Sequence, residues 1–391
     1  MDFRFTPAQE AFRQELRGFL RSELGDLESR SADRGGVTGG RYSQEFSKKL
    51  SRKGWVGLAW PKEFGGQGLG HIERLVYNEE MTYWRAPTGW HFTAERQMGP
   101  SVIMVGTEEQ KRELLPAIIG GDVCFCIGYS EPGAGSDLAG VQTRAVADGD
   151  DFVVSGQKIW TSGAHNATHC WLAVRTDPDA PKHKGVSVLI VDMKSPGITV
   201  RPLYNLMNSH EFNEVFFDHV RVPQRNLVGG LNQGWYVVAS NLDFERAGIE
   251  RVIENELLFN RVLKYVKRGK AEGASLNVTD AIRHRLAEMA LEFQVGRLLS
   301  YRVAWIMSQG KVPNHEASQA KVFGSELSQR VTGLLMQVLG PYGQLEAQSP
   351  WAPFEGSVER TFLSALSDTI RGGTSEVMRN IIATRGLGLP R

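Results

Sequence analysis

The chain has 391 residues, of which 41% are hydrophobic and 23% charged, with 45 basic side chains against 44 acidic ones. That length suffices for two or three domains, and the near-neutral balance argues against a nucleic-acid partner or a polybasic membrane anchor. No apolar run approaches the roughly 20 residues of a membrane span, so no membrane partner is expected.

The opening MDFRFTPAQEAF lacks a signal-peptide core and reads as a helix entry. Thr6 and Pro7 with Gln9 resemble an N-cap, a first-turn proline and a capping-box partner, and Thr107 with Gln110 repeats the pattern ahead of QKRELLPAII. Helical periodicity holds from Phe5 to about Gly121. From Val123 to about Val228 the texture changes to short alternating runs. AVADGDDFVVSGQKIW reads as a hairpin through Asp148 and Gly149, and VSVLIVDM and EVFFDHVRV read as further strands. Long helical patterns return at roughly 233–267, 279–309, 315–339 and 357–384, with GKAEGASLNV as a connection between two of them. The expected fold class is α+β: an N-terminal all-α domain (1–122), a central β-barrel-like domain (123–230) and a C-terminal four-helix bundle (231–391).

Cys124, Cys126 and Cys170 are the only cysteines, and C-F-C at strand spacing fits burial better than a redox or zinc motif. A reducing cytoplasm is the expected setting. His165 and His169 stand four apart but between strands, where that spacing carries little, so no metal is expected. GGQGLG (65–70) lacks the strand-turn-helix context of a dinucleotide turn.

Three stretches carry chemistry. In CFCIGYSEPGAGSDLAG (124–140), Gly133, Gly135 and Ser136 form either an amide nest for phosphate or a plain tight loop. In GQKIWTSGA (156–164), Trp160 is either core or a stacking partner for a flat cofactor ring, with Thr161 or Ser162 reaching a ring heteroatom. In the predicted helix 234–258 one face runs Trp235, Val238, Leu242, Glu245, Ile249, Val252. A lone carboxylate in an apolar stripe is either a buried structural partner or a base with a raised pKa. Asp243, Arg246 and Glu250 share the adjacent face.

Taken in order, YSEPGAGSDLA, KIWTSGA, FNEVFFDHVRVP, LDFERAG, IRGGTSEVMRN and the ending RGLGLPR resemble the acyl-CoA dehydrogenases, together with WPKEFGGQGL and GTEEQKRELLP. The resemblance spans the whole chain and implies FAD as cofactor, an acyl-CoA thioester as substrate, a role in β-oxidation-type acyl-CoA metabolism, and an electron-transfer flavoprotein as electron acceptor. It also implies a homotetramer or heterotetramer. Residue by residue, it implies flavin contacts for Tyr129, Ser130, Gly135, Ser136, Trp160, Thr161 and Ser162, and contacts near the FAD ribose and pyrophosphate for Thr374 and Glu376. Gln337 and Gly340 match a segment that reaches FAD bound to a neighbouring subunit. Ser136, Asp243, Arg246, Gly372 and Gly373 match the substrate side.

In one branch of the family the catalytic base immediately precedes the glycine of the GTS turn, where this chain has Gly372. Isovaleryl- and long-chain-type members carry it on the helix before an arginine, which here is Glu245 in DFERAG. The resemblance therefore assigns the base to Glu245 and a cofactor contact to Glu376. The RxxFG motif that many members direct at FAD across a subunit interface is absent, so either another residue substitutes for its arginine or the chain is a subunit of a heteromeric dehydrogenase with incomplete FAD sites. A flavin oxidase or monooxygenase of the same fold is the other alternative.

Overall fold

The computed structural model describes residues 4–25, 41–245, 248–271 and 278–390; for residues 240, 242–245, 270 and 271 it describes the backbone alone. In chain order the helices are α1 (Pro7–Leu24), α2 (Gln44–Arg52), α3 (His71–Tyr83), α4 (Gly89–Thr93), α5 (Gly99–Val105), α6 (Glu108–Ile119), α7 (Gly234–Glu245), α8 (Glu250–Ala271), α9 (Asp280–Ser308), α10 (His315–Leu339), α11 (Ser357–Asp368) and α12 (Ser375–Ile381). A π-helical turn, Ala94–Met98, joins α4 to α5. The strands are β1 (Phe125–Gly128), β2 (Arg144–Asp148), β3 (Asp151–Lys158), β4 (His169–Arg175), β5 (Val186–Asp192), β6 (Ile198–Tyr204), β7 (His210–Pro223) and β8 (Leu227–Val228). Contacts cluster into two compact units, one of Met1–Gly36, Gly70–Ala86 and Arg246–Arg391, the other of Val37–Leu69 and Pro87–Glu245.

In the first unit the bundle is built on α10, where Leu327, Val331, Leu334 and Val338 recur at steps of four, three and four and are fully or almost fully buried. That spacing is one face of a helix, and it meets Leu258, Phe259 and Val262 of α8 and Leu286, Met289 and Phe293 of α9 in one core. Both expected capping boxes form. Thr6 and Gln9 exchange bonds at the start of α1, and Thr107 and Gln110 do so at the start of α6 in the second unit. The pattern read as one helix over 234–258 is two helices, α7 and α8. Gly248, a poor helix former, stands in the gap beside residues 246 and 247, which lie outside the described residues, as do residues 272–277 of the predicted connection.

In the second unit the eight strands make one sheet in the order β6-β7-β3-β2-β4-β5-β8, with β1 pairing β4. The hairpin through Asp148 and Gly149 is present, with Asp148 opposite Asp151 and Gly149 at φ 61°. The barrel-like expectation is corrected: the sheet is open. Among the described residues β6 pairs only β7, and β8 pairs only β5 over two residues. A two-residue strand cannot supply the staggered ladder that closure requires, and Pro202 removes an amide from β6, as befits an edge. Strands β4 and β5 are buried almost throughout, whereas β7 alternates buried with more exposed positions. The first pattern marks strands covered on both faces and the second a strand with one solvated face.

Candidate active site

The YSEPGAGSD loop leaves the end of β1 and is anchored by a buried ion pair. Lys158, with no exposure at all, donates from Nζ to the Tyr129 carbonyl at 3.1 Å and to Glu131 Oε1 at 2.8 Å. Glu131 also accepts from the backbone amides of Gln142 (2.6 Å) and Thr143 (2.8 Å). Burial pushes the Glu131 carboxyl up, but Lys158 and these donors outweigh it and hold it below the ordinary range. Glu131 and Ala134 close a tight turn through paired backbone bonds. Gly133 within that turn and Gly135 just after it face open space, so a Cβ at either would meet nothing within 4 Å. Ser136 is exposed beside them and Ser130 is half-buried.

The KIWTSGA segment runs alongside. Ile159 N donates to the Ser130 carbonyl at 2.9 Å, which ties the two loops together. Trp160 is 55% exposed and adopts φ 59°, a left-handed conformation that costs a non-glycine residue about 1–3 kcal/mol and concentrates at functional sites. Its ring meets Phe212 edge-on at 5.8 Å. Thr161 is buried, and its Oγ1 has no hydrogen-bond partner. Ser162 is exposed. Gly163 must be glycine, because its φ is 66° and a Cβ would stand 2.1 Å from the Tyr42 hydroxyl. Helix α7, in the same unit, ends on Glu245. The side chains of Asp243 and Glu245, and the whole of Arg246, lie outside the described residues.

In the other unit Gly372 and Gly373 take φ values of 65° and 98°, which is why two glycines separate α11 from α12. Thr374 then caps α12, its hydroxyl accepting from Val377 N at 3.2 Å. Glu376 is exposed, and its carboxyl is held below the ordinary range. The largest cause is its own backbone amide, followed by the Thr374 hydroxyl, with Arg379 and Lys321 adding to it. Thr374, Ser375, Glu376 and Arg379 line an open cleft of about 450 Å³ with Glu326, Gln329 and Arg330. Gln337 and Gly340 are elsewhere on the same unit. Glu326, which bonds Ser375 and Arg379, is eleven residues before Gln337 on α10, or roughly 16 Å at 1.5 Å per residue. Gln337 instead accepts from Arg285 at 2.6 Å. One chain thus gathers Thr374 and Glu376 but leaves Gln337 and Gly340 apart from them.

Three family descriptions match the chain end to end: the acyl-CoA dehydrogenase N-terminal domain over residues 6–122, the middle domain over 126–220 and the C-terminal domain over 232–387. The chain belongs to the acyl-CoA dehydrogenase family. Acyl-CoA dehydrogenase FadE26 of Mycobacterium tuberculosis is 39% identical over 400 residues, covering 100% of this chain and 99% of that protein. Among solved structures, the Tcur3481-Tcur3483 steroid ACAD superposes with a TM-score of 0.90 at 36% identity, covering both chains completely. The ChsE4-ChsE5 complex from Mycobacterium tuberculosis gives 0.87 at 38% identity, again with both chains covered.

This dehydrogenase is an FAD-dependent oxidoreductase that converts an acyl-CoA thioester to the α,β-unsaturated enoyl-CoA. The residues fit the cofactor: an open glycine loop suits a phosphate, a solvent-facing indole suits a flat ring, and a buried hydroxyl lacks a partner. Among the described residues no cluster could hold a metal and no helix is long and apolar enough to cross a membrane. Lys158, Glu131 and Asn213 are supporting residues that motif reading passes over. For Lys158 and Asn213 the available signal was a charged or amide side chain at an inward strand position, where the alternation calls for an apolar one.

Proposed function

We propose that this acyl-CoA dehydrogenase uses Glu245 as its base and acts on bulky, steroid-like acyl groups, in the branch that carries the catalytic glutamate on the helix. The carrying observation is the turn before α12. Gly372 offers no carboxylate there, and Glu376 is exposed and easily ionised, the opposite of a base raised toward neutrality by burial. In α7, Glu245 follows the fully buried Asn241 by four residues and Val238 by seven, so the three share one helix face.

Glu245 takes the α-proton as the β-hydrogen departs as hydride and the Cα–Cβ double bond forms. FAD bound by these residues would supply the electron sink for that hydride, and an electron-transfer flavoprotein is the proposed acceptor. Tyr129, Ser130, Trp160, Thr161 and Ser162 hold the flavin, and Gly135 and Ser136 leave room for phosphate. Thr374 and Glu376 hold the ribose and pyrophosphate half. The family resemblance assigns Asp243, Arg246, Gly372 and Gly373 to the substrate side. Gly372 leaves side-chain volume free beside the α-carbon, and the steroid description of one relative supports the same substrate class.

The separation of Gln337 and Gly340 from Thr374 supports an FAD site completed by a second chain. The absent RxxFG and the two-protein complexes among the relatives favour a different second chain over an identical one. The three matched family segments support a division into three domains, which we place at 1–122, 123–230 and 231–391.

Anaerobic bleaching of the flavin across a panel of acyl-CoA esters tests the substrate and the base together. Wild-type protein should bleach with steroid side-chain esters faster than with straight-chain ones. Glu245→Gln should keep its flavin spectrum and lose at least about a thousandfold in bleaching rate, within the range removal of a catalytic base spans. Full retained activity would end the assignment of Glu245. One FAD per chain in a sample purified alone would remove the heteromeric reading.

A further inference from the structure

Along β7 the buried positions are Asn213, Val215, Phe217, Val220 and Val222. Four of the five are apolar. The exception, Asn213, has no exposure and stands where the alternation demands a hydrophobic residue. A buried amide is tolerated only with its hydrogen bonds made, and Asn213 directs its backbone carbonyl and one side-chain hydrogen at a single residue, Thr161. Strand β3 pairs with β7 as far as Lys158 opposite Val215, and the left-handed Trp160 then breaks the ladder. Asn213 rebuilds it. Its carbonyl accepts from Thr161 N at 3.0 Å, and its side-chain Nδ2 donates to the Thr161 carbonyl at 2.9 Å.

The rest of the amide is satisfied from behind. His210 Nε2 lies 2.8 Å from Asn213 Oδ1, and His165 Nδ1 lies 3.1 Å from Nδ2. With the proton of His210 on Nε2 and Nδ1 of His165 bare, both amide hydrogens and the amide oxygen are used. The two imidazoles stack at 4.0 Å, which fixes the edge each presents to Asn213. Burial first and then the neighbouring His210 lower the His165 pKa, against a smaller rise from its bond to Asn213.

We infer that Asn213, backed by His210 and His165, is the positioning residue that sets the conformation of the flavin-facing Trp160–Ser162 segment. The inference rests on the reading that this segment faces FAD. Asn213 touches neither cofactor nor substrate; it acts through the Thr161 carbonyl and amide, which lie between the indole and the Ser162 hydroxyl.

The test uses the purified holo-oligomer, stripped of FAD and titrated with it again. Flavin fluorescence, the visible spectrum and the midpoint potential of the bound flavin are followed. Asn213→Asp keeps the size and the acceptor but replaces the donor to Thr161. It should weaken FAD binding about tenfold, what the loss of one buried hydrogen bond amounts to, and should alter the spectrum and potential of the flavin that still binds. His210→Phe keeps a ring against His165 without the Nε2 donor and should shift the same readings in the same direction by less. Because His210 is only half-buried, this variant decides the matter if Asn213→Asp does not fold. Spectra and potentials identical to wild type, with FAD affinity within twofold, overturn the inference. Trp160→Phe and Ser162→Ala separate the two failures. Unchanged flavin binding in these controls overturns the flavin assignment of the loop itself. Changed controls with unchanged Asn213 and His210 variants overturn the role of Asn213 alone.

Discussion

Lys158 and Glu131 show how a single ion pair can fix a loop that has little packing of its own. The ammonium is fully buried, and its bonds reach both the Tyr129 carbonyl and the Glu131 carboxylate. Removing one partner of such a pair leaves an uncompensated buried charge, at a cost of about 3–5 kcal/mol. Lys158→Met should therefore lower stability by that amount in urea unfolding, and it should release the Tyr129–Ser130 backbone along with the flavin. A loss below about 1 kcal/mol would mean that the loop is held by other contacts. The pH dependence follows from Glu131. Its carboxyl is depressed in the folded state, so the stabilisation is present above the ordinary carboxylate pKa of 4.5 and is lost as the pH falls through the depressed value. Thermal melts carried from neutrality to well below pH 4.5 should show, below that pH, a decline for wild type that is weaker in Glu131→Gln.

At the scale of elements, the break between α11 and α12 is set by backbone geometry before any chemistry. Gly373 holds φ 98°, and a Cβ there would approach the Met378 methyl at 2.5 Å. The methionine end can yield, but the dihedral cannot, so Gly373→Ala should cost about 1–2 kcal/mol. Thr374→Ala removes the α12 cap at about 1 kcal/mol and should weaken FAD binding as well. A stability change without a change in FAD affinity would confine Thr374 to capping. Such local devices were legible in the sequence: Thr6 with Gln9, Thr107 with Gln110, and the Asp148-Gly149 hairpin each depend on residues within a few positions of one another. Openness of the sheet was not legible, because it depends on whether β6 and β8 meet, and alternation within a strand carries no information about its distant edge partner. The stripe through Glu245 was visible as a period, but periodicity could not show that the helical conformation is broken at Gly248 and Ile249 before it resumes at Glu250. The role of Asn213 was hidden for the same reason, since its partners Thr161 and His165 are about fifty residues away.

At the scale of the whole molecule, helix α9 presents a surface that a lone chain does not explain. Leu291, Val295, Leu298 and Trp305 are all exposed at steps of four, three and seven. That near-heptad spacing gives a narrow seam of the kind that docks another helix. The same unit leaves Gln337 roughly 16 Å along α10 from Glu326, which bonds Ser375 and Arg379. An apolar seam and a divided set of cofactor contacts call for the same remedy, a second chain. Leu298→Glu places a charge in the middle of that seam, and an unpaired buried charge is costly enough to displace a partner helix. The variant should sediment at a lower mass than wild type and retain less FAD per chain, while each chain keeps its helical circular-dichroism signal. If the mass falls but the FAD content does not, the seam is an assembly surface and the cofactor site is complete within one chain. If the mass is unchanged, α9 is not where the second chain binds, and the seam has to be assigned to another contact.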